Sequence, residues 1–298
     1  MASVATAPQP TTPEQAATKK TKPPTGVKTP WWMWLAIGAI VLFCLFPFYW
    51  LINISLKTGN DLQSSSLIPP NPTLDNYQSI FKNPDFTKAL RNSAVVALTT
   101  TVLALAVGSF CAYALARLKL RGKFAILAIV LTISTFPQIA IAAPLFKLWS
   151  DIGLFNTWIG LIIPYLTFAL PLTVYILVSF FREIPKDLEE AALVDGATHF
   201  EAFRKVVVPL AAPGLATAGI LTFIGAWNEF LLAVTLTSSS KARTVPAAIA
   251  FFTGATEHEV PYGSISAASV VISVPLIIMV LLFQKRIVAG LTAGAVKG

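Results

Sequence analysis

Six long stretches of the chain contain no aspartate, glutamate, lysine or arginine, and they constrain the fold more than any other feature. They hold 28, 25, 23, 30, 23 and 25 residues and cover 29–56, 92–116, 124–146, 152–181, 206–228 and 260–284. A helix needs about 20 apolar residues to cross the hydrocarbon of a bilayer. Inside lipid, only helices and closed barrels satisfy every backbone polar group. Because the short alternating segments of barrel strands are absent from the sequence, we predict an all-α, polytopic membrane protein with six transmembrane helices.

The composition agrees with this fold class. Charged residues make up 12% of the chain and hydrophobic residues 55%, with a mean hydropathy of +0.70. A soluble domain carries about 25% charged residues. The apolar material is therefore too abundant to form one buried core in water.

The predicted spans cover about 31–54, 92–116, 124–146, 157–181, 206–236 and 264–284, which together form one membrane domain of residues 31–286. Residues 1–30 are rich in proline, threonine, alanine and lysine, so we expect a disordered N-terminal arm. Residues 287–298 form a C-terminal tail.

The basic residues predict the orientation of the spans. If the N-terminus is cytoplasmic, the inside segments hold fifteen of the 22 lysines and arginines and the outside loops hold seven. The inside turn Arg117–Lys123 is short, which is where the positive-inside rule is strongest. Six spans then place both termini in the cytoplasm.

The third to fifth spans are rich in proline. The residues concerned are Pro137, Pro144, Pro164, Pro171, Pro209 and Pro213. Proline frees a backbone carbonyl and bends a helix, so these spans could surround a cavity. Alternatively, they reflect the general tolerance of membrane helices for proline.

The loop of residues 182–205, between the fourth and fifth spans, carries strong local signals. Asp187 can cap a short helix, and Gly196 suits the left-handed position after its end. Thr198 and Glu201 have the spacing of a capping box that opens a second helix. A helix–glycine turn–helix is predicted.

Side chains of this loop give each of its two helices a distinct face. Phe200 and Phe203 are three residues apart and share one face of the second helix. Ala191 and Ala192 give the first helix a small-residue face that another protein could approach closely. An ordinary amphipathic helix at the membrane interface is the alternative.

The spacing of the loop resembles the EAA loop of ABC importer permeases. Glu190-Ala191-Ala192 is followed after three residues by Gly196 and after nine more by Val206-Val207-Val208-Pro209. Val206 and Val208 replace the isoleucine and leucine that are usual in the family. The resemblance implies a type I ABC importer fold in which the loop couples the pore to an ATPase. The coupling residues it implies are Glu190, Ala191, Ala192, Asp195, Gly196, Phe200, Phe203 and Pro209.

Several further segments carry a second resemblance: Ser55-Leu56-Lys57-Thr58, Pro72-Thr73-Leu74-Asp75-Asn76-Tyr77, Asn92-Ser93, Trp227-Asn228-Glu229-Phe230 and the terminal Gly290–Gly298. They resemble the sugar permeases of the maltose type, and within that family we expect a trehalose-type disaccharide importer. Only the arm of residues 1–30 falls outside the resemblance.

The resemblance implies the partners and the location. A second, homologous permease completes the pore, two ATPase subunits grip the loops, and an extracytoplasmic binding protein delivers the sugar. The assembly is expected in the bacterial cell membrane. ATP and magnesium are expected on the ATPase, because this chain has no phosphate-binding loop of the form G-x-x-x-x-G-K-[ST]. Before Gly122-Lys123, position 117 is arginine instead of glycine.

Trp227, Asn228 and Glu229 are candidates for the substrate path. An aromatic face suits a sugar ring, and an amide and a carboxylate suit its hydroxyls. Glu229 is the only charged residue within a predicted span, and burying it costs about 3 kcal/mol, so it should face the bundle interior or a cavity. A structural hydrogen bond between helices, or a place near the outer interface, is the alternative.

The tail of residues 287–298 has too little apolar area to order itself, so a free tail should be disordered. The resemblance implies that it inserts between the ATPase subunits, with Gly290, Leu291 and Thr292 as contacts.

Two other classes of function remain as alternatives. A self-sufficient secondary transporter would show inverted repeats and several intramembrane charges, and a membrane enzyme would need clustered ionisable groups. The sequence shows neither pattern. His199 and His258 fall in loops on opposite sides of the membrane, so we predict neither a metal site nor a catalytic site in this chain.

Overall fold

The computed structural model describes residues 30–252 and 261–293, and the regular elements in these ranges are helices. Apart from Pro30, the arm of residues 1–30 lies outside the described residues. His258 also lies outside them. In chain order the α-helices are α1 (Trp31–Ser55), α2 (Asp75–Lys82), α3 (Pro84–Arg117), α4 (Lys123–Ser134), α5 (Gln138–Asp151), α6 (Trp158–Glu183), α7 (Lys186–Val194), α8 (His199–Ala202), α9 (Val208–Leu210), α10 (Ala212–Asn228), α11 (Leu231–Leu236), α12 (Val245–Ile249) and α13 (Tyr262–Ala293).

Long apolar helices account for the membrane-spanning part of the fold. Helices α1, α3, α6 and α13 are each long and apolar enough to cross a bilayer. Two further candidates are bent pairs: α4 and α5 meet at 82°, and the segment His199–Leu210 meets α10 at 76°. Counting each bent pair as one span gives six candidate spans among the described residues, so the predicted all-α, polytopic fold is confirmed.

Some of the prolines in the predicted spans lie at helix breaks, whereas others lie inside unbroken helices. The third predicted span, 124–146, is a single helix in the prediction but breaks between Ser134 and Gln138. Pro137 has no N–H to donate and keeps the residue before it out of the α conformation, so the helix ends there. Pro144, Pro164 and Pro171 lie inside unbroken helices, which is the alternative that the sequence left open.

Helix boundaries differ from the predicted spans at three other places. Helix α3 begins at Pro84, well before residue 92, because the Asn83 side chain accepts a hydrogen bond from the Asp85 N–H at 2.9 Å and caps it. The predicted fifth span, 206–236, consists of several helices. Helix α13 continues to Ala293, through most of the predicted tail.

The chain divides into two units, and the boundary lies between Pro47 and Phe48 within α1. The core of the second unit lies where α3 packs against α6 and α10. At Gly108 of α3, an added Cβ would lie 2.8 Å from the Thr173 side chain of α6. A small residue there lets the two helices approach closely, as in other membrane bundles.

The loop after α1 is held by a buried lysine. Lys57 is 1% exposed, and its Nζ donates hydrogen bonds to the Ser64 and Ser66 carbonyls at 3.0 and 2.9 Å. The Asn76 side chain donates to the carbonyls of Ser55 and Lys57 at 2.9 and 2.8 Å. These contacts bring together two of the segments that resemble maltose-type permeases.

Candidate functional site

The loop of residues 182–205 folds as two short helices joined by a glycine turn, as the sequence predicts. Gly196 follows α7 with a φ of +89°, in the left-handed region. The Gly196 N–H donates a hydrogen bond to the Leu193 carbonyl at 3.1 Å, and the Ala197 N–H donates one to the Ala192 carbonyl at 3.0 Å. This pair of bonds is the Schellman motif, which satisfies the last carbonyls of a helix.

The predicted capping box at the start of α8 is confirmed. Thr198 accepts a hydrogen bond from the Glu201 N–H at 3.2 Å, and the Glu201 carboxylate accepts one from the Thr198 N–H at 3.0 Å. The Thr198 backbone bond, aided by Lys205 at 2.9 Å, lowers the pKa of Glu201 to about 2. The prediction for Asp187 is wrong. Helix α7 begins one residue earlier, at Lys186 after Pro185, so Asp187 lies in the first turn. Its negative charge there interacts favourably with the helix dipole.

An ion pair that the sequence analysis missed fastens α7 to α3. Glu189 is 8% exposed, and one of its carboxylate oxygens lies 3.1 Å from Nε of Arg117. The other accepts a hydrogen bond from the Tyr113 hydroxyl. Arg117 also donates to the Ile184 carbonyl at 2.9 Å. The loop is therefore attached to the end of a membrane helix by charge-assisted contacts, which are stronger than neutral ones.

An aromatic cluster fastens the second half of the loop. The rings of Phe200 and Phe203 lie 6.5 Å apart, which confirms that they share one face. Phe110 of α3 stacks on Phe200 at 6.4 Å and contacts Phe203 at 5.3 Å. Phe203 is buried, whereas Phe200 is 56% exposed, so Phe203 anchors the cluster and Phe200 lies at its surface.

The remaining residues of α7 form an exposed face. Glu190, Ala191 and Asp195 are exposed and Ala192 is half-buried. Val194 is 88% exposed, although it is apolar. A rigidly anchored helix with exposed small and apolar side chains is suited to docking against another protein. Farther along, Pro209 is exposed in α9, just before the chain bends into α10.

A second candidate site is a cavity of about 150 Å³ inside the second unit. Its lining residues are Gln138, Tyr165, Phe168, Ala169, Leu172, Leu221, Thr222, Gly225, Ala226 and Glu229. Glu229 lies at the break between α10 and α11. Its two carboxylate oxygens accept hydrogen bonds from the N–H groups of Leu232 and Ala233 at 2.8 and 3.0 Å and so cap α11.

The three predicted substrate-path residues do not lie together. Trp227 is 4% exposed, and its Nε1 donates to the Ile272 carbonyl at 3.2 Å, so it belongs to the core. Asn228 is exposed and does not line the cavity. Of the three, Glu229 alone lines it, and its place in the substrate path stays a prediction. Tyr165 and Gln138 lie far from it in sequence, so no local pattern pointed to them.

The predicted contacts in the tail can be placed only as backbone. Gly290, Leu291 and Thr292 lie in the last turn of α13. Residues 287–293 are helical, which differs from the disorder expected of a free tail; no proline interrupts residues 276–293, so the helix can continue there. The predicted ATPase contact of these residues stays a prediction.

The fold and the loop together define a multi-pass helical membrane protein whose loop presents a short, exposed helix. Residues 104–292 match a family described as the binding-protein-dependent transport system inner membrane component. This chain belongs to that family.

Relatives with similar sequences extend over nearly the whole chain. The chain is 53% identical to the trehalose transport system permease protein SugB of Mycobacterium tuberculosis, over 89% of this chain and 97% of that protein. It is 43% identical to the trehalose/maltose transport system permease protein MalG of Thermococcus litoralis, over 89% of this chain and 96% of that protein. It is 44% identical to the sulfoquinovosyl glycerol transport system permease protein SmoH of Agrobacterium fabrum, over 89% of this chain and 93% of that protein.

Solved structures share the fold. A bacterial ABC transporter involved in the import of the acidic polysaccharide alginate aligns with a TM-score of 0.73 at 23% identity, over 85% of this chain and 94% of that chain. This likeness supports the type I importer architecture predicted from the loop.

Proposed function

We propose that this chain forms half of the pore of an ATP-driven, binding-protein-dependent importer of a disaccharide, with trehalose as the first candidate. The observation that carries the proposal is the anchored loop: α7 is fixed to α3 by Glu189 and Arg117, and its opposite face is exposed. The relatives support the substrate class, because three of them are named for transport of trehalose, maltose or a sugar glycoside.

The loop acts as a lever in this proposal. An ATPase subunit grips the exposed face of α7, including Glu190, Ala191 and Asp195, and moves when it binds ATP. The Glu189–Arg117 ion pair and the Phe203 cluster pass that motion to α3, which packs against α6 and α10. Because these helices also form the core, a displacement of the loop would change the pore.

The other partners follow from the same proposal. ATP and magnesium bind to two separate ATPase subunits, and this chain is not itself an enzyme. A homologous permease forms the other half of the pore, and an extracytoplasmic protein delivers the sugar. The tail contacts Gly290, Leu291 and Thr292 would lie between the ATPase subunits.

Both termini are cytoplasmic in this proposal. The Arg117–Glu189 contact supports it, because the contact joins the basic turn after α3 to the loop of residues 182–205 on one side of the membrane. With fifteen of the 22 basic residues assigned to that side, the positive-inside rule makes it the cytoplasm.

The proposal is tested by the ATPase rate of the purified assembly in nanodiscs, measured with its binding protein and a panel of trehalose, maltose and glucosylglycerol. We expect stimulation by the binding protein loaded with one or two of these sugars and little by the empty binding protein. Equal rates with every sugar and without sugar would contradict a sugar importer.

A further inference from the structure

Two breaks between helices meet at the cavity described above. Gln138 is the first residue of α5, directly after the break that follows α4, and Glu229 lies in the break between α10 and α11. Backbone that is not helical is tolerated at membrane depth only where protein buries it or where it lines a polar cavity.

The cavity also contains a polar group without a partner. Tyr165 is 4% exposed, and its hydroxyl lies beside the Glu229 carboxylate and the Thr244 hydroxyl, but it forms no hydrogen bond of ordinary geometry with either of them or with any other described residue. Most buried polar groups in proteins have a hydrogen-bond partner, and leaving one unpaired is costly. A ligand that reaches the cavity would supply the missing partner.

The lining has the chemistry of a site for a hydroxylated ring. Each Glu229 oxygen uses one acceptor site on the backbone of α11 and keeps another for a ligand hydroxyl. The Gln138 amide can both donate and accept, and the Tyr165 hydroxyl can donate. Phe168 and Leu172 offer apolar surface, which the C–H faces of a sugar can contact and a hydrated cation cannot.

The size of the cavity sets how much of a sugar can enter. At about 150 Å³ it matches an engineered cavity that accepts benzene, so there is room for one six-membered ring. We infer that this cavity binds a single pyranose unit of the transported sugar during its passage, with Tyr165, Gln138 and Glu229 bonded to its hydroxyls. The inference rests on the proposed sugar transport and adds a sugar site within this chain itself.

Gly225 provides a probe for the test. It lines the cavity, and a Cβ added there meets no atom within 4 Å, so Gly225→Cys introduces a thiol without a clash. Cys44 and Cys111 are first replaced by alanine. Ala212→Cys, at the start of the same helix and away from the cavity, is the matched control. The assembled transporter is trapped with vanadate and its binding protein, with or without trehalose, and the modification rate by a small methanethiosulfonate is followed on this chain.

We expect trehalose to slow modification at Gly225→Cys by about tenfold and to leave Ala212→Cys unchanged. Tyr165→Phe, added to Gly225→Cys, should raise the trehalose concentration for half protection about three- to tenfold, the factor for one lost hydrogen bond. Tyr175→Phe, in the same helix with its side chain 48% exposed, should not shift it.

Three outcomes would overturn the inference: equal rates with and without trehalose, equal shifts for both tyrosine variants, or a thiol at Gly225→Cys that never reacts. The last result would show that the cavity is closed to a molecule smaller than the sugar. Trehalose uptake by the unmodified transporter distinguishes failure of the pyranose site from failure of the proposed function. Uptake without protection contradicts the pyranose site, whereas absence of uptake contradicts the proposed function.

Discussion

The carboxylate of Glu189 lies 3.1 Å from Nε of Arg117, and this ion pair joins the loop of residues 182–205 to the end of α3. The two side chains are 11% and 6% exposed, so water screens their attraction little. Ion pairs on open surfaces contribute little, but removing one partner of a buried pair leaves an uncompensated charge. The contact is therefore well suited to transmit force between the loop and the pore.

Glu189→Gln should destabilise the purified assembly by up to about 3 kcal/mol, because Arg117 loses its counter-charge while it remains largely buried. Thermal unfolding in detergent measures this as a lower midpoint. Glu183→Gln, at an exposed glutamate of the same loop, is the control and should be neutral. The double variant Arg117→Met with Glu189→Met should be more stable than Arg117→Met alone or Glu189→Met alone. If the losses of stability of the two single variants simply add in the double variant, the pairing is contradicted.

Gly196→Val should insert into the membrane normally but lose ATPase association. A Cβ there meets no atom within 4 Å, so the whole effect comes from the φ of +89°, at roughly 1–2 kcal/mol. Gly196→Asn should retain more association, since asparagine tolerates the left-handed region. Co-purification of the ATPase subunits measures the effect. Full association in the valine variant would contradict a role for the turn.

Thr198→Ala should loosen the start of α8 by about 1 kcal/mol, whereas Thr198→Ser should preserve the capping box. Amide hydrogen exchange of residues 199–205 measures this local opening. If the two variants exchange alike, the box does not stabilise the helix.

The capping box should also be insensitive to pH in the neutral range. The pKa of Glu201 is lowered from 4.5 to about 2 in the folded loop, so its stabilisation is fully present above pH 4.5 and is lost as the pH falls toward 2. Exchange protection of the loop, corrected for the intrinsic rate, should therefore be constant from about pH 8 to 5. A loss of protection near pH 6 would contradict this assignment.

Glu229→Leu should lower both stability and uptake, because the N–H groups of Leu232 and Ala233 lose their cap, at about 1 kcal/mol. Glu229→Gln retains one acceptor and should fold while its uptake rate changes. Uptake and thermal unfolding of both variants separate the two effects. A leucine variant that transports like the unmodified chain would contradict the importance of this carboxylate.

Local signals made much of this structure predictable from sequence. The six charge-free stretches predict the spans, and Gly196, Thr198 and Glu201 predict the turn and cap because those motifs act within a few residues. The Glu189–Arg117 pair was not predictable, since neighbouring glutamates look alike until folding buries one of them. The cavity depends on helices that are distant in sequence. Pro137 lies at a helix break and Pro144 lies inside a helix, and the two prolines look alike in the sequence.

In the proposed function ATP, and not an ion gradient, drives sugar through this chain. The most direct measurement is accumulation of labelled trehalose in proteoliposomes that contain the complete assembly, with ATP inside and the binding protein outside. We expect accumulation only when both ATP and the binding protein are present, and none when a proton or sodium gradient replaces ATP. Uptake driven by either gradient in liposomes that contain this chain alone would contradict it.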